Sequence, residues 1–323
     1  MTDRRRAARW AYATNQWKAG FTGFARMEQQ ERAMKVTAAC GFDAIELTAG
    51  TGRWDPLGRP ENIVLNFGSV DHFRLKLREW GIHRIASRFY VDVDAQVIDL
   101  ARLDPARLDP RLMVAGVERL RHSRALLLNI DYPLGLAAYH ILKLVARSVG
   151  ELRGVYVLGK AATLNGKIGD VLIPNVVYDE HTDNTFSFAP AFSAADVEPY
   201  LAHGSVLDNQ KAVTSRGTFL QNAAFLDALY RDFFTDVEME AGPYLNAIYE
   251  QTFAERYPAG ATVSFLRPPF DLGFLHYASD TPYSKGLNLG SRNLSYFGMD
   301  PTYATSLAVA RRILRQEVER LGA

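Results

Sequence analysis

The sequence predicts an α/β fold, and three features carry the prediction. Short apolar runs alternate with helical periods through residues 10–92, a second series of the same kind starts near Ala125, and the chain ends in an amphipathic helix. With 323 residues, 48% of them hydrophobic and 23% charged, the chain can build two modest domains or one large one with a buried core. The expected division is a β/α segment over 1–95, a linker over 96–121 and a second α/β domain over 122–323.

In the first segment the runs Trp10 to Ala13, Ala44 to Leu47 and Ile82 to Tyr90 read as strands, and Glu28 to Ala39 and Val70 to Trp80 as helices. Gly41 and Gly81 stand where a helix stops and a strand begins. The Gly/Pro-rich stretch Gly50 to Pro60 is a loop at a strand's C-terminal end, where parallel sheets place ligands. Residues 92–121 change character and read as a linker with short helices; they carry a duplication, Ala101 to Pro105 and Ala106 to Pro110, too small to define a structural repeat.

The second series reads as strand Ala125 to Ile130, helix Leu136 to Val149, strand Val155 to Leu158 and extended segments over Val171 to Phe188. Helix Ala223 to Phe234, strand Thr235 to Met239, helix Gly242 to Arg256 and strand Phe274 to Ala278 follow. The last helix, Ser306 to Leu321, sets Leu307, Ala310, Leu314, Val318 and Leu321 on one face.

Charge excludes some functions. A formal net charge of +1 gives no basic field for nucleic acid and no acidic tail. The single cysteine, Cys40, rules out an internal disulfide and a cysteine-based zinc site, which fits a cytoplasmic protein. Arg4-Arg5-Arg6 is not followed by an apolar signal core, and Leu134 to Ala146, with His140 and Lys143 inside it, is too short to span a bilayer. The 7 histidines show no His-x-x-x-His spacing, so no metal centre is expected; His181 and His276 alone fall beside candidate motifs.

Three constellations could carry chemistry. Val237-Glu238-Met239-Glu240-Ala241-Gly242 ends an apolar strand with two carboxylates just before a helix, where they need hydroxyl or amide donors. Tyr277-Ala278-Ser279-Asp280-Thr281-Pro282 ends another strand in Ser-Asp, and an acid there could serve a leaving base. Val155 to Asp170 runs from a strand into a small-residue turn offering Lys160, Thr163 and backbone amides to an anion or sugar.

In this order the segments resemble the nucleoside phosphorylase and nucleosidase superfamily over about residues 122–323. The family's first loop is matched by Asn129 to Leu134, its Gly-rich turn by Gly159 to Ala162, and its Gly-Asp plus apolar run by Gly169 to Pro174. Asp179-Glu180-His181-Thr182 is similar to its Asp-Gly-Thr segment; Glu238 to Ala241 and Ser279-Asp280 match its Glu-Met-Glu-Ala and Ser-Asp.

The resemblance implies a three-layer α/β/α domain that cleaves an N-glycosidic bond of a nucleoside or nucleotide. It implies Glu240 as a catalytic residue on the ribose hydroxyls, Asp280 as the acid at the base, and Met239 packed on the sugar with Glu238 beside it. Phe219 would stack on the base, and Asp131, His181, Lys160 and Thr163 would complete substrate binding. No cofactor is implied beyond phosphate as a co-substrate, and family members commonly form homo-oligomers. Two positions depart from the phosphorolytic pattern: Gly135 and Val157 stand where arginines grip phosphate, which favours water as the nucleophile.

The opening segment has a resemblance of its own. Cys40 to Leu47 and the Gly50 to Pro60 loop look like the first strands of xylose-isomerase-like sugar isomerases and epimerases, which are TIM barrels. That implies a TIM-barrel-like β/α segment and, as an alternative function, a metal-dependent isomerase with its site at Glu46 and Arg53. A non-catalytic nucleoside or nucleotide-binding protein is the third reading.

Overall fold

The structure is a computed structural model that describes Arg78 and residues 80–87, 93–131, 133–217, 222–253, 259–265, 268, 270–283, 287–288 and 296–322. The isomerase-like strands, Glu46, Arg53 and Phe219 lie outside the described residues. The chain clusters into two compact units: one takes residues up to Tyr132 together with Ile313–Ala323, the other Pro133–Arg312.

The described part of the first unit is a three-stranded antiparallel sheet of β1 (Ile82–Ile85), β2 (Ala95–Asp99) and β3 (Leu126–Ile130), in that order. Gly81 starts it at φ +82, a left-handed turn that a side chain resists. The parallel β/α rhythm expected here does not extend to these residues: β1 runs antiparallel to its neighbour. β3, expected as the first strand of the second series, pairs with β2 instead.

The short duplication proves to be a structural repeat. Asp99, Asp104 and Asp109 each open a one-turn 3-10 helix, over Leu100–Arg102, Pro105–Arg107 and Pro110–Leu112. In each turn the aspartate accepts from the amide two residues on, at 3.0, 3.0 and 2.9 Å. A longer 3-10 helix follows over Val117–His122. Leu100, Leu112, Val117 and Leu120 are buried, so this stretch carries core of its own.

The second unit holds an eight-stranded sheet. Its strands are β4 (Gly154–Thr163), β5 (Val171–Asp179), β6 (Asn184–Phe188), β7 (Val206–Thr214), β8 (Asp236–Glu238), β9 (Thr262–Phe265), β10 (Asp271–Thr281) and β11 (Leu287–Asn288). Their order is β11-β10-β4-β8-β7-β5-β6-β9, and β10 also pairs with β5, so five central strands close on themselves. The helices are α1 (Ala137–Ser148), the single turn α2 (Ala194–Val197), α3 (Ala223–Arg231), α4 (Ala241–Thr252) and α5 (Tyr296–Gly322).

Helices cover both faces of the sheet, giving the mixed α/β core expected. On one face Ala138 and Leu142 of α1 and Leu245 and Ile248 of α4 pack against Val155 and Phe274. On the other, Ala304 and Ala308 of α5 meet Ile173 and Leu275, while Leu226 and Leu229 of α3 meet Leu164 and Val213. Each buried leucine, isoleucine, valine or phenylalanine among them contributes about 1.5–3 kcal/mol. β4 runs five residues beyond its expected end, so Gly159 to Ala162 lie within the strand and not in a turn.

Candidate functional site

The polar residues of this unit gather under the N-terminal end of α4. β8 alternates Asp236, Val237 and Glu238, which sets both acids on one face. Asp236 pairs in register with Thr163 of β4, and Glu238 with Thr214 of β7. On the same face of β10, His276 stands in register with Gly159. The imidazole reaches across β4 to Asp236, with Nδ1 to Oδ2 at 2.7 Å.

Glu238 is held from three directions. Its Oε2 accepts from the Glu240 and Ala241 amides at 2.6 Å each, at the start of α4, and its Oε1 accepts from the Thr214 hydroxyl. Thr214 in turn accepts from the Gly242 amide at 2.8 Å. Burial pushes the Glu238 carboxyl up to about 7, against the opposing pull of His276, the Ala241 amide and the Thr214 hydroxyl.

Glu240 is half-buried and less engaged. Its Oε1 accepts from the Gly135 amide at 2.8 Å, and burial raises it while that amide and His276 lower it. Burial depresses His276, but the charge and hydrogen bond of Asp236, with Glu238 and Glu240, carry it up to about 9. Asp236 Oδ1 is sealed from solvent and has no hydrogen-bond partner among the described residues.

The other expected site residues are distributed. His181 gives Nδ1 to Asp179 at 2.8 Å; the same buried carboxylate accepts from Thr182 and Asn246, at 2.7 Å each. Gly242 is required there, because a Cβ would lie 2.6 Å from Asp179. Met239 is half-buried between the two glutamates. Thr163 is buried and ties its own turn, accepting from the Gly166 amide at 2.9 Å.

Lys160 is exposed and, next to Gly159 in an extended strand, points to the opposite face from His276. Asp280 follows a β-bulge that sets it level with Ala162, and its Oδ2 accepts from the Ser279 hydroxyl at 2.6 Å. Asp131 belongs to the first unit, where its amide bonds to the Asp94 carbonyl at 2.9 Å. The structure thus joins Glu238, Met239 and Glu240 to His276 and Asp236, while no described contact joins Asp280 or Lys160 to them.

Asp236 is the residue that sequence reading passed over. Its signal was the alternation Asp236-Val237-Glu238, two acids on one face of an otherwise apolar strand. Among the described residues no group of three histidine, cysteine or acidic side chains could hold a metal ion, and no helix is long and apolar enough to cross a membrane.

The chain belongs to a family of unknown function, DUF6909, whose model matches residues 69–315. No curated protein matches it. Among solved structures it is similar to a putative methylthioadenosine nucleosidase from Weissella paramesenteroides, with 11% identity, 78% of this chain and 97% of the other covered, and a TM-score of 0.48. The 5'-methylthioadenosine/S-adenosylhomocysteine nucleosidase of Neisseria meningitidis gives 15% identity, 75% and 94% coverage and a TM-score of 0.47. Uridine phosphorylase from Schistosoma mansoni gives 12%, 78%, 84% and 0.42. Likenesses of this size say nothing of the chain's own chemistry.

Proposed function

We propose that the chain cleaves the N-glycosidic bond of a nucleoside or nucleotide, by hydrolysis or phosphorolysis. Glu240 supports the reading most. Its carboxylate is half-buried at the entry to α4, takes one amide from Gly135, and keeps acceptor sites for a sugar diol. Glu238, by contrast, is consumed in holding the helix end and shapes the site from behind. Met239 packs on the sugar.

Cleavage builds positive charge on the sugar and negative charge on the base. Glu240 stabilises the first, and Asp280, steadied by the Ser279 hydroxyl, meets the second with a hydrogen bond or a proton. In the hydrolytic form the oxygen of water bonds the anomeric carbon, the C–N electron pair leaves with the base, and the proton lost by water replaces the one the base takes. Phosphate as nucleophile needs a cationic grip, which Gly135 and Val157 do not offer. Phe219 and His181 are the further substrate contacts of this reading, Lys160 being turned to the opposite face of β4, and a cytoplasmic homo-oligomer is its expected form.

The test is release of free base from a panel of nucleosides and nucleotides, with and without phosphate. Asp280→Asn should lower that release by about 100-fold or more while leaving the melting temperature within about 1 °C. Full activity in the variant would remove Asp280 from the mechanism.

A further inference from the structure

Gly135 is buried between two exposed leucines, Leu134 and Leu136, and its φ is +56. Glycine serves a chain either by giving room or by taking a backbone shape that side chains resist. Room is not at issue: a Cβ on Gly135 would meet nothing nearer than the Met239 carbonyl oxygen, 4.0 Å away. The position uses the left-handed shape. On one side of Gly135 its N–H goes to Glu240 Oε1 at 2.8 Å; on the other its carbonyl accepts from the Ala138 amide at 3.1 Å, in the first turn of α1. Both ends of that arrangement are fixed. Ala138 and Leu142 of α1 share a buried cluster with Leu245 and Ile248 of α4, and Glu240 is the cap residue of α4, its carbonyl accepting from the Tyr244 amide at 3.1 Å. The positive φ lets one residue begin α1 and still face its amide to the start of α4.

We infer that Gly135 is a positioning residue for Glu240, its left-handed backbone aiming the amide that holds the carboxylate where it meets the sugar; this rests on the reading above. A glutamate side chain has several rotatable bonds, and no lysine or arginine of the described residues pairs with this one. The amide removes that freedom, and a carboxylate oriented before the substrate arrives meets developing positive charge without reorganising. The donor is also neutral. It favours the ionised carboxyl without cancelling the negative charge, as a paired lysine or arginine would.

Three variants of the full chain, Gly135→Val, Gly135→Asn and Gly260→Val, test this against wild type. Valine resists a positive φ, whereas asparagine enters the left-handed region more readily than most side chains and has room there. Gly260 belongs to the same unit, has φ +70 and open space around its Cβ, and makes no described contact with Glu240, so valine there brings the same backbone penalty alone. The readouts are kcat and KM for base release from whichever nucleoside or nucleotide of the panel wild type cleaves fastest, their dependence on pH, and melting temperature. Gly135→Val should lose about tenfold or more in kcat and kcat/KM alike. Its activity should also need a higher pH, because a donor that favours the ionised carboxyl has gone. The titratable groups whose charges bear on Glu240, His276 of β10 and Tyr244 of α4, are the same in every variant. Gly135→Asn should stay within about threefold of wild type with an unshifted pH profile. Gly260→Val should melt lower, as Gly135→Val does, and keep wild-type kcat and pH profile.

Gly135→Val with wild-type kcat and pH profile overturns the inference. So does Gly135→Asn failing as badly as valine, which would put the fault in the added side chain, or Gly260→Val losing as much kcat, which would put it in strain alone. In each of these cases an active wild type leaves the glycosidic reading standing. A wild type that releases no base from the panel ends that reading, and the inference falls with it.

Discussion

Glu238 and Glu240 are separated by one residue, and the turn into α4 gives them different chemistry. The sequence presents both as strand-end acids. Only the folded turn shows that the first carboxylate bends forward onto the Glu240 and Ala241 amides, while the second reaches the amide of Gly135, more than a hundred residues away in sequence. His276 and Asp236 were hidden for a similar reason: they are 40 positions apart, on two strands that both pair with β4.

That cluster gives stability a definite pH dependence. His276 has a folded pKa near 9, above its unfolded value of 6.5, so its contribution is complete below about pH 6.5 and is lost as pH rises through 9. Glu238, near 7 against 4.5, acts in the same direction: the native state keeps a proton that the unfolded chain has released, so stability falls between about pH 4.5 and 7. Urea denaturation from pH 4.5 to 9.5 should therefore show unfolding free energy falling with pH, and His276→Gln should lack the fall above 6.5. A wild-type curve rising across pH 6.5–9 would contradict the pairing.

At the scale of elements, periodicity located most helices and strands of the second unit but misjudged the lengths of β4 and β10: β10 is buried on both faces and has no alternation to mark its end, and the small residues Gly159 to Ala162 of β4 read as a turn. β7 went unread because Asp208-Asn209-Gln210-Lys211 interrupts its apolar ends, and Asn209 sits there at φ +57. The five-residue duplication was read, with short helices, but as too small for a structural repeat, because three capped 3-10 turns have neither helical nor strand period. One element ends under strain. The last turn of α3 closes with the Phe234 amide on the Leu229 carbonyl and the Phe233 amide on Tyr230, leaving Phe233 at φ +64 and 81% exposed. Glycine suits that conformation, and little packing is lost with the ring. Phe233→Gly should stabilise the unit by about 1 kcal/mol, seen as a rise of roughly 2–4 °C in melting temperature. A fall of that size would mean that the ring is held by something.

For the whole molecule, the α/β class and the amphipathic last helix were legible, because burial of one helix stripe writes itself into the sequence; Leu307, Leu314 and Val318 are all buried. How α5 is shared was not legible. Its residues to Arg312 count with the large sheet, where Arg312 holds Asp271, and the eleven from Ile313 to Ala323 count with the first unit. There Glu317 accepts from the Ser123 hydroxyl and Val318 closes on Gly116, where an added Cβ would sit 3.2 Å from it. Periodicity reports which face of a helix is buried, not which core it enters. Deleting Ile313–Ala323 removes Leu314 and Val318 from the first unit's core, about 3–6 kcal/mol of apolar burial, and leaves Ser123 without its acceptor. Hydrogen exchange on the shortened chain should show amides of β1, β2 and β3 losing protection while those of β4, β5 and β10 keep theirs. Equal loss in both sheets would show that the two units unfold as one, and unchanged protection in β1 to β3 would show that the first unit's core does not need the helix end.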